Sequence, residues 1–190
     1  MKKLLLVFAC LFIVAATGYS DFVAGAVAGG EYNPLNPDYI SWTAGLYVGF
    51  KNGSHSIVYE LRFGGGVLTQ TWEEKNLYSL AQETVTRHYK DGLFFMHNSG
   101  YWQYDLNNII GLRAGITVPW LISNTLGTIN LPMAFGIFGR AGVVLFPDSR
   151  FNVAVEVYPG IISGSFQIPV YKDSFVLPIT LLVGLSFMPK

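Results

Sequence analysis

From residue 21 onward, apolar and polar positions alternate with a period of two. Ile110, Leu112, Ala114, Ile116, Val118 and Trp120 are apolar or small, and Gly111, Arg113, Gly115, Thr117 and Pro119 separate them. The same rhythm recurs in Ile40, Trp42, Ala44, Leu46, Val48 and Phe50, and in Ile57, Tyr59, Leu61 and Phe63. It returns in Ile129, Leu131, Met133, Phe135 and Ile137, in Phe151, Val153, Val155 and Val157, and in Phe175 through Phe187. Such a period predicts strands with two unlike faces. The Val- and Ala-rich stretch 21–32 and the weaker stretch 93–104 complete a set of eight. No apolar run after residue 20 is long enough to cross a bilayer as a helix.

The connections between these strands differ in character. Lys51–Ser54, Asp105–Asn108 and Pro147–Arg150 are short turn clusters, the first carrying an Asn-Gly hairpin signal. Those near 33–38, 70–91, 121–128 and 160–174 form the other set, and two of them are long. Short turns at one end and longer loops at the other fit an all-β fold, an eight-stranded antiparallel up-and-down transmembrane β-barrel over residues 21–190.

Charge decides which face meets lipid. Strand interiors hold Glu60, Arg62, Arg113, Arg140 and Glu156, each on the face opposite the apolar one. Slipping the register by one would put five charges into hydrocarbon, at up to ~2–4 kcal/mol each for Arg near the midplane. That sum rivals the stability of a whole domain. The apolar face is therefore expected outside and the charges in the lumen, as a network of Glu60, Arg62, Arg113, Arg140 and Glu156. Gly45, Gly64, Gly115 and Gly136 are expected to make room for it. A buried network of this kind demands pairing. The residues alone leave open whether it is a plug or a narrow path for small solutes.

Composition agrees. The chain is 51% hydrophobic and 13% charged, too greasy for a disordered chain. Its 12 Lys and Arg against 12 Asp and Glu leave no basic surplus for nucleic acid. Met1-Lys2-Lys3, the apolar run Leu4–Ala16 and the small residues up to Ser20 follow the plan of a secretory signal peptide, residues 1–20. That run is too short for a membrane anchor. Cys10 lies within it, so no cysteine cage or disulfide framework is expected, and neither metal nor cofactor. Aromatic residues fall at both strand ends: Phe22, Phe50, Trp102, Tyr104, Phe146, Phe151 and Phe187 at the short-turn end, Tyr32, Tyr39, Trp42, Trp72, Trp120 and Phe175 at the loop end. Two such belts suit bilayer interfaces.

On these grounds the chain resembles the small eight-stranded outer-membrane barrels of diderm bacteria, the group of the OmpA transmembrane domain, OmpX and OmpW. Gly184-Leu185-Ser186-Phe187 is similar to the C-terminal signal read by the outer-membrane assembly machinery, although Leu182 and the trailing Met188-Pro189-Lys190 depart from it. The resemblance implies a non-enzymatic outer-membrane protein in contact with lipid and lipopolysaccharide, with structural or surface-interaction roles and no room for a peptidoglycan-binding domain after residue 187. OmpW-like barrels add the prospect of passage for small apolar molecules near Pro119, Pro132, Pro159 and Pro178. The connection 70–91, rich in Glu73, Glu74, Lys75, Glu83, Arg87 and Lys90, is the candidate for a host or surface ligand. Two alternatives stand beside this reading. His97-Asn98-Ser99 resembles the His-x-Ser pair of PagL-type lipid A esterases, with no carboxylate evident to orient the His other than Glu83. A soluble periplasmic lipophile-binding barrel would also alternate.

Overall fold

The computed structural model describes residues 21–75, 84–123, 133–164 and 174–187. The expected signal peptide, residues 1–20, lies outside the described residues, as do Glu83, Ile129, Leu131, Pro132 and the side chains of Tyr39 and Trp72. Among the described residues there are ten strands: β1 (Asp21–Asn33), β2 (Asn36–Asn52), β3 (His55–Lys75), β4 (Thr84–Asp105), β5 (Ile110–Ser123), β6 (Met133–Leu145), β7 (Phe151–Val157), β8 (Gly160–Gly164), β9 (Ser174–Val176) and β10 (Ile179–Ser186). From β1 to β7 each pairs antiparallel with the next in sequence. β6 binds β7 low and β8 high, β10 and β9 follow likewise, and β10 returns to β1. With β5 joined to β6, the sheet closes into an eight-walled barrel, two walls of which are split. Closure removes every free edge from the hydrocarbon region, which lipid requires because it cannot hydrate one.

Prolines account for both splits. Tyr158-Pro159 separates β7 from β8, and Leu177-Pro178 separates β9 from β10. Proline has no N–H to give to a ladder. Its carbonyl still accepts: Gly139 N donates to Pro159 O and Tyr158 N to Pro178 O, both at 2.8 Å. A third interruption lies in the β5–β6 ladder, which passes from Thr117↔Phe138 to Trp120↔Phe135 across Pro119. Irregular pairing in the loop-end part of these walls is thus found at Pro119, Pro159 and Pro178.

The structure corrects several expected connections. Residues 70–75 and 84–91 are paired strand, from Gln70↔Tyr89 to Lys75↔Thr84, and not loop. β2 stops pairing with β3 at Leu68 and β5 stops pairing with β4 at Leu93, so this part of the hairpin stands clear of the barrel as a two-stranded ribbon. Its residues carry no alternation of apolar and polar positions, which hides it from a search for that period. The β1–β2 connection is the two-residue turn Pro34–Leu35, with Leu35 N donating to Asn33 Oδ1 at 3.2 Å. The β2–β3 turn is Gly53–Ser54, not Asn52–Gly53: Asn52 pairs with His55, and of the two turn positions Gly53 takes the positive φ, 56°. Glycine at the first of two loop positions is the type II′ arrangement, whose twist suits a hairpin.

The two faces separate cleanly. Ile137 is 70% exposed, Val155 49% and Leu112 42%, whereas Arg113 is 6% and Arg140 3% exposed. Among the described residues no charged side chain projects outward between the strand ends. The outward amide of Asn98 is answered by a neighbour, with Tyr59 OH donating to Asn98 Oδ1 at 2.9 Å. Outward aromatics gather at the two levels expected. Phe22 meets Phe50 edge-on at 5.8 Å, Trp102 stacks on Tyr104 at 5.8 Å, and at the other end Trp120 meets Phe135 at 5.2 Å. From Phe22 to Tyr32 is about ten residues, or ~33 Å of strand and ~25 Å of height at a ~40° tilt, the thickness of an outer-membrane apolar band.

Candidate functional site

Inward positions converge on a column of charge. Glu60 and Arg62 of β3, Arg113 of β5, Arg140 of β6 and Glu156 of β7 are all buried, Glu60, Arg62 and Glu156 completely. Arg140 grips Glu60 through two nitrogens, Nη1 to Oε1 at 2.9 Å and Nη2 to Oε2 at 3.3 Å. Its Nη2 also donates to Glu156 Oε1 at 2.7 Å, and the same oxygen accepts from Arg113 Nη1 at 3.0 Å. Arg62 Nη2 donates to Tyr158 OH at 2.7 Å, and that hydroxyl donates onward to Glu156 Oε2. Arg62 Nε lies 3.0 Å from Glu60 Oε1. The structure therefore brings all five residues into one connected group. Fork-shaped guanidiniums on carboxylates are the pairing that makes buried charge tolerable.

Aromatic rings complete the cage. Arg140 sits 3.9 Å over the Tyr101 ring and Arg62 sits 5.0 Å over that of Tyr158. These faces help to solvate cations whose Nε atoms, on both Arg62 and Arg140, have no hydrogen-bond partner. Of the four glycines expected to make room, only Gly45 borders a charged chain: a Cβ there would lie 2.7 Å from Arg62 Cγ. Gly115 instead accommodates Tyr101, Gly64 the Phe95 ring, and Gly136 Pro119 and Phe138. Gly142 does for Glu156 what Gly45 does for Arg62.

Several participants escape sequence reasoning. The column continues downward from Arg113 Nε to Gln103 Oε1 at 2.8 Å, and from Gln103 Nε2 to Asp105 Oδ1 at 2.7 Å. It ends where Lys51 Nζ meets Asp105 Oδ2 at 2.5 Å and Asp148. Lys51, Asp105 and Asp148 read as turn charges, yet Lys51 and Asp105 point inward, as their parity with Gly49 and Gln103 would have told. Glu31 is also buried, near the loop end, accepting from Thr180 Oγ1 at 3.5 Å. Its Gly-Gly-Glu-Tyr-Asn surroundings lack the alternation that marks an inward position. Glu31 brings the deeply buried set to three guanidiniums and three carboxylates.

Ser99 and His97, the candidate esterase pair, share the lumenal face of β4. Ser99 Oγ pairs with Thr117 Oγ1 at 2.8 Å. His97 stacks on Phe95 at 4.5 Å, and its Nδ1 lies 3.9 Å from Glu31 Oε2. A carboxylate not anticipated from the sequence, Glu31 of β1, approaches His97, while Glu83 lies outside the described residues. Both side chains are buried. Among the described residues no group of three or more His, Cys, Asp or Glu is placed to hold a metal ion.

Comparison with solved structures follows this architecture. The chain aligns with Ail, the attachment invasion locus protein of Yersinia pestis crystallised with the heparin analogue sucrose octasulfate, at a TM-score of 0.52 and 12% identity, over 88% of this chain and 100% of that one. The shared fold is a small closed antiparallel β-barrel. Neisserial surface protein A also matches, at a TM-score of 0.48 and 10% identity, over 87% of this chain and 94% of that one. No family model and no curated protein matches the sequence. At such identities the likeness resides in walls and closure, not in shared side chains.

Proposed function

We propose that this protein is a non-enzymatic barrel of the bacterial outer membrane, closed to solute flow at mid-height, that displays the β3–β4 ribbon at the cell surface. The observation that carries the reading is the pairing of an uncharged outer face with a lumen blocked by a fully buried ion network. An uncharged, aromatic-belted exterior suits lipid and lipopolysaccharide and would leave a soluble periplasmic barrel insoluble. Above the network, Phe95, Phe138, Ile162 and Val176 fill the lumen, which argues for a plug over a path for ions or apolar molecules. The ribbon supplies the surface for a host or other external ligand, as rigid scaffolds present recognition elements. Ail was crystallised with a heparin analogue, and a sulfated polysaccharide is a reasonable first probe for this ribbon.

Two experiments test this. Trypsin added to intact cells cuts the ribbon at Lys75, Arg87 or Lys90; cleavage only after permeabilisation would reverse the orientation. In planar bilayers the refolded protein gives no steady conductance, and an open channel in the unaltered protein would refute the plug. The esterase alternative is disfavoured by the sealed position of Ser99, which no acyl chain in the bilayer reaches. Ser99→Ala leaves the lipid A acylation profile unchanged under the present reading.

A further inference from the structure

A cavity of about 370 Å³ opens at the short-turn end of the lumen. Polar groups of Tyr47, Ser56, Asn152 and Ser186 line its sides, with Lys51 and Asp148 at the rim. Tyr101 and Arg113 line it as well, but Glu60, Arg62, Arg140 and Glu156 do not. The cavity therefore runs beside the lower part of the column and stops below the Glu60, Arg62, Arg140 and Glu156 group. Tyr101 occupies that boundary. Its ring carries Arg140 at 3.9 Å and Arg113 at 5.1 Å, and the residue is 4% exposed.

Tyr101 pairs with Val58 on β3 and Gly115 on β5. A Cβ at position 115 would lie 2.3 Å from Gly100 O and 2.6 Å from Tyr101 Cβ, so glycine there lets β4 and β5 approach closely at this level. Along β4 the inward series runs Phe95, His97, Ser99, Tyr101, Gln103, Asp105. It passes from apolar to acidic, and Tyr101 is the last ring before the polar vestibule.

We infer that Tyr101 is the partition between a water-filled vestibule, open to small hydrophilic molecules from the short-turn side and lined by Arg113, and the sealed group of Glu60, Arg62, Arg140 and Glu156 above it. The ring does two things at once. It keeps bulk water from the Arg140 guanidinium, and it offers that cation a π-face in place of the water it excludes. The inference rests on the plugged reading of the lumen. It goes further by naming the group that separates the wet from the dry half.

Thiol accessibility tests it in the refolded barrel, in a Cys10→Ser background. Ser56→Cys, on the vestibule wall, reacts with a small cationic methanethiosulfonate reagent. Thr117→Cys, one inward position above the Gly115 that faces Tyr101, stays unreactive. Adding Tyr101→Ala to Thr117→Cys raises its labelling rate by about tenfold or more, because labelling follows the population that admits water. Tyr101→Phe keeps the ring and keeps Thr117→Cys protected. A heat-modifiable gel band verifies folding of each variant. Rapid labelling of Thr117→Cys with Tyr101 intact would overturn the inference, as would continued protection in a folded Tyr101→Ala barrel. Steady conductance of the unaltered protein would instead refute the plug itself, so the two failures are distinguishable.

Discussion

The short-turn half and the loop-end half of the barrel solve the same closure problem by different means. Near the turns the ladders run without interruption, and the lumen is a polar vestibule bounded by Lys51, Gln103, Asp148 and Arg113. Toward the loops three walls are interrupted at Pro119, Pro159 and Pro178, and the lumen is filled by Phe95, Phe138, Ile162 and Val176. Between them lies the ion network. The contrast teaches that wall regularity and lumen filling compensate. Where backbone pairing is complete, the interior can remain hollow and wet. Where proline removes donors, side-chain packing holds the walls together.

Breaking the network should have the largest effect. Glu156→Ala leaves Arg113 and Arg140 short of their shared acceptor and should cost ~3–5 kcal/mol, the range for orphaning a buried charge. Urea-dependent unfolding in lipid vesicles measures this. A comparable loss, ~3–5 kcal/mol, is expected for Phe138→Ala in the loop-end filling, since the cavity it leaves is walled by interrupted strands. Should Phe138→Ala be nearly neutral, packing does not compensate for the prolines. On the outer face, Ile137→Arg places a charge in hydrocarbon and should cost ~2–4 kcal/mol in the same assay. The smallest change is at the vestibule rim. Asp148 is partly exposed and shares Lys51 with Asp105, so Asp148→Asn should cost ~0.2–1 kcal/mol and less at high salt. A large effect there would mean that the rim, not the middle, holds the barrel closed.

Alternation was enough to read the walls because lipid outside and charge inside impose opposite demands on successive residues. Leu112 against Arg113, and Val155 against Glu156, reveal orientation without a structure. The same logic fails wherever one demand lapses. Beyond the barrel walls the paired residues 69–75 and 84–92 carry no two-residue period. Gly160–Gly164 follows a proline, which masks the continuation of the wall. Glu31 sits in a glycine-rich stretch with no bulky outward partner until Tyr32. Tyr101 and Tyr158 were visible as inward positions, but their place against Arg140 and Arg62 depends on cross-barrel geometry that linear spacing does not contain. The five strand charges were legible as a set; their order of pairing was not.

The most direct test is a spin-label scan along β5 from Leu112 to Val118, one cysteine at a time in a Cys10→Ser background, in lipid bilayers. Labels at Leu112, Ala114, Ile116 and Val118 should collide readily with oxygen dissolved in the bilayer and little with a water-soluble nickel complex. Those at Gly115 and Thr117 should report a packed interior closed to both, and the label at Arg113, which lines the vestibule, should be closed to oxygen but open to the nickel complex. Oxygen accessibility at Arg113 and Thr117 with protection at Leu112 and Ile116, or no two-residue period at all, would contradict the account.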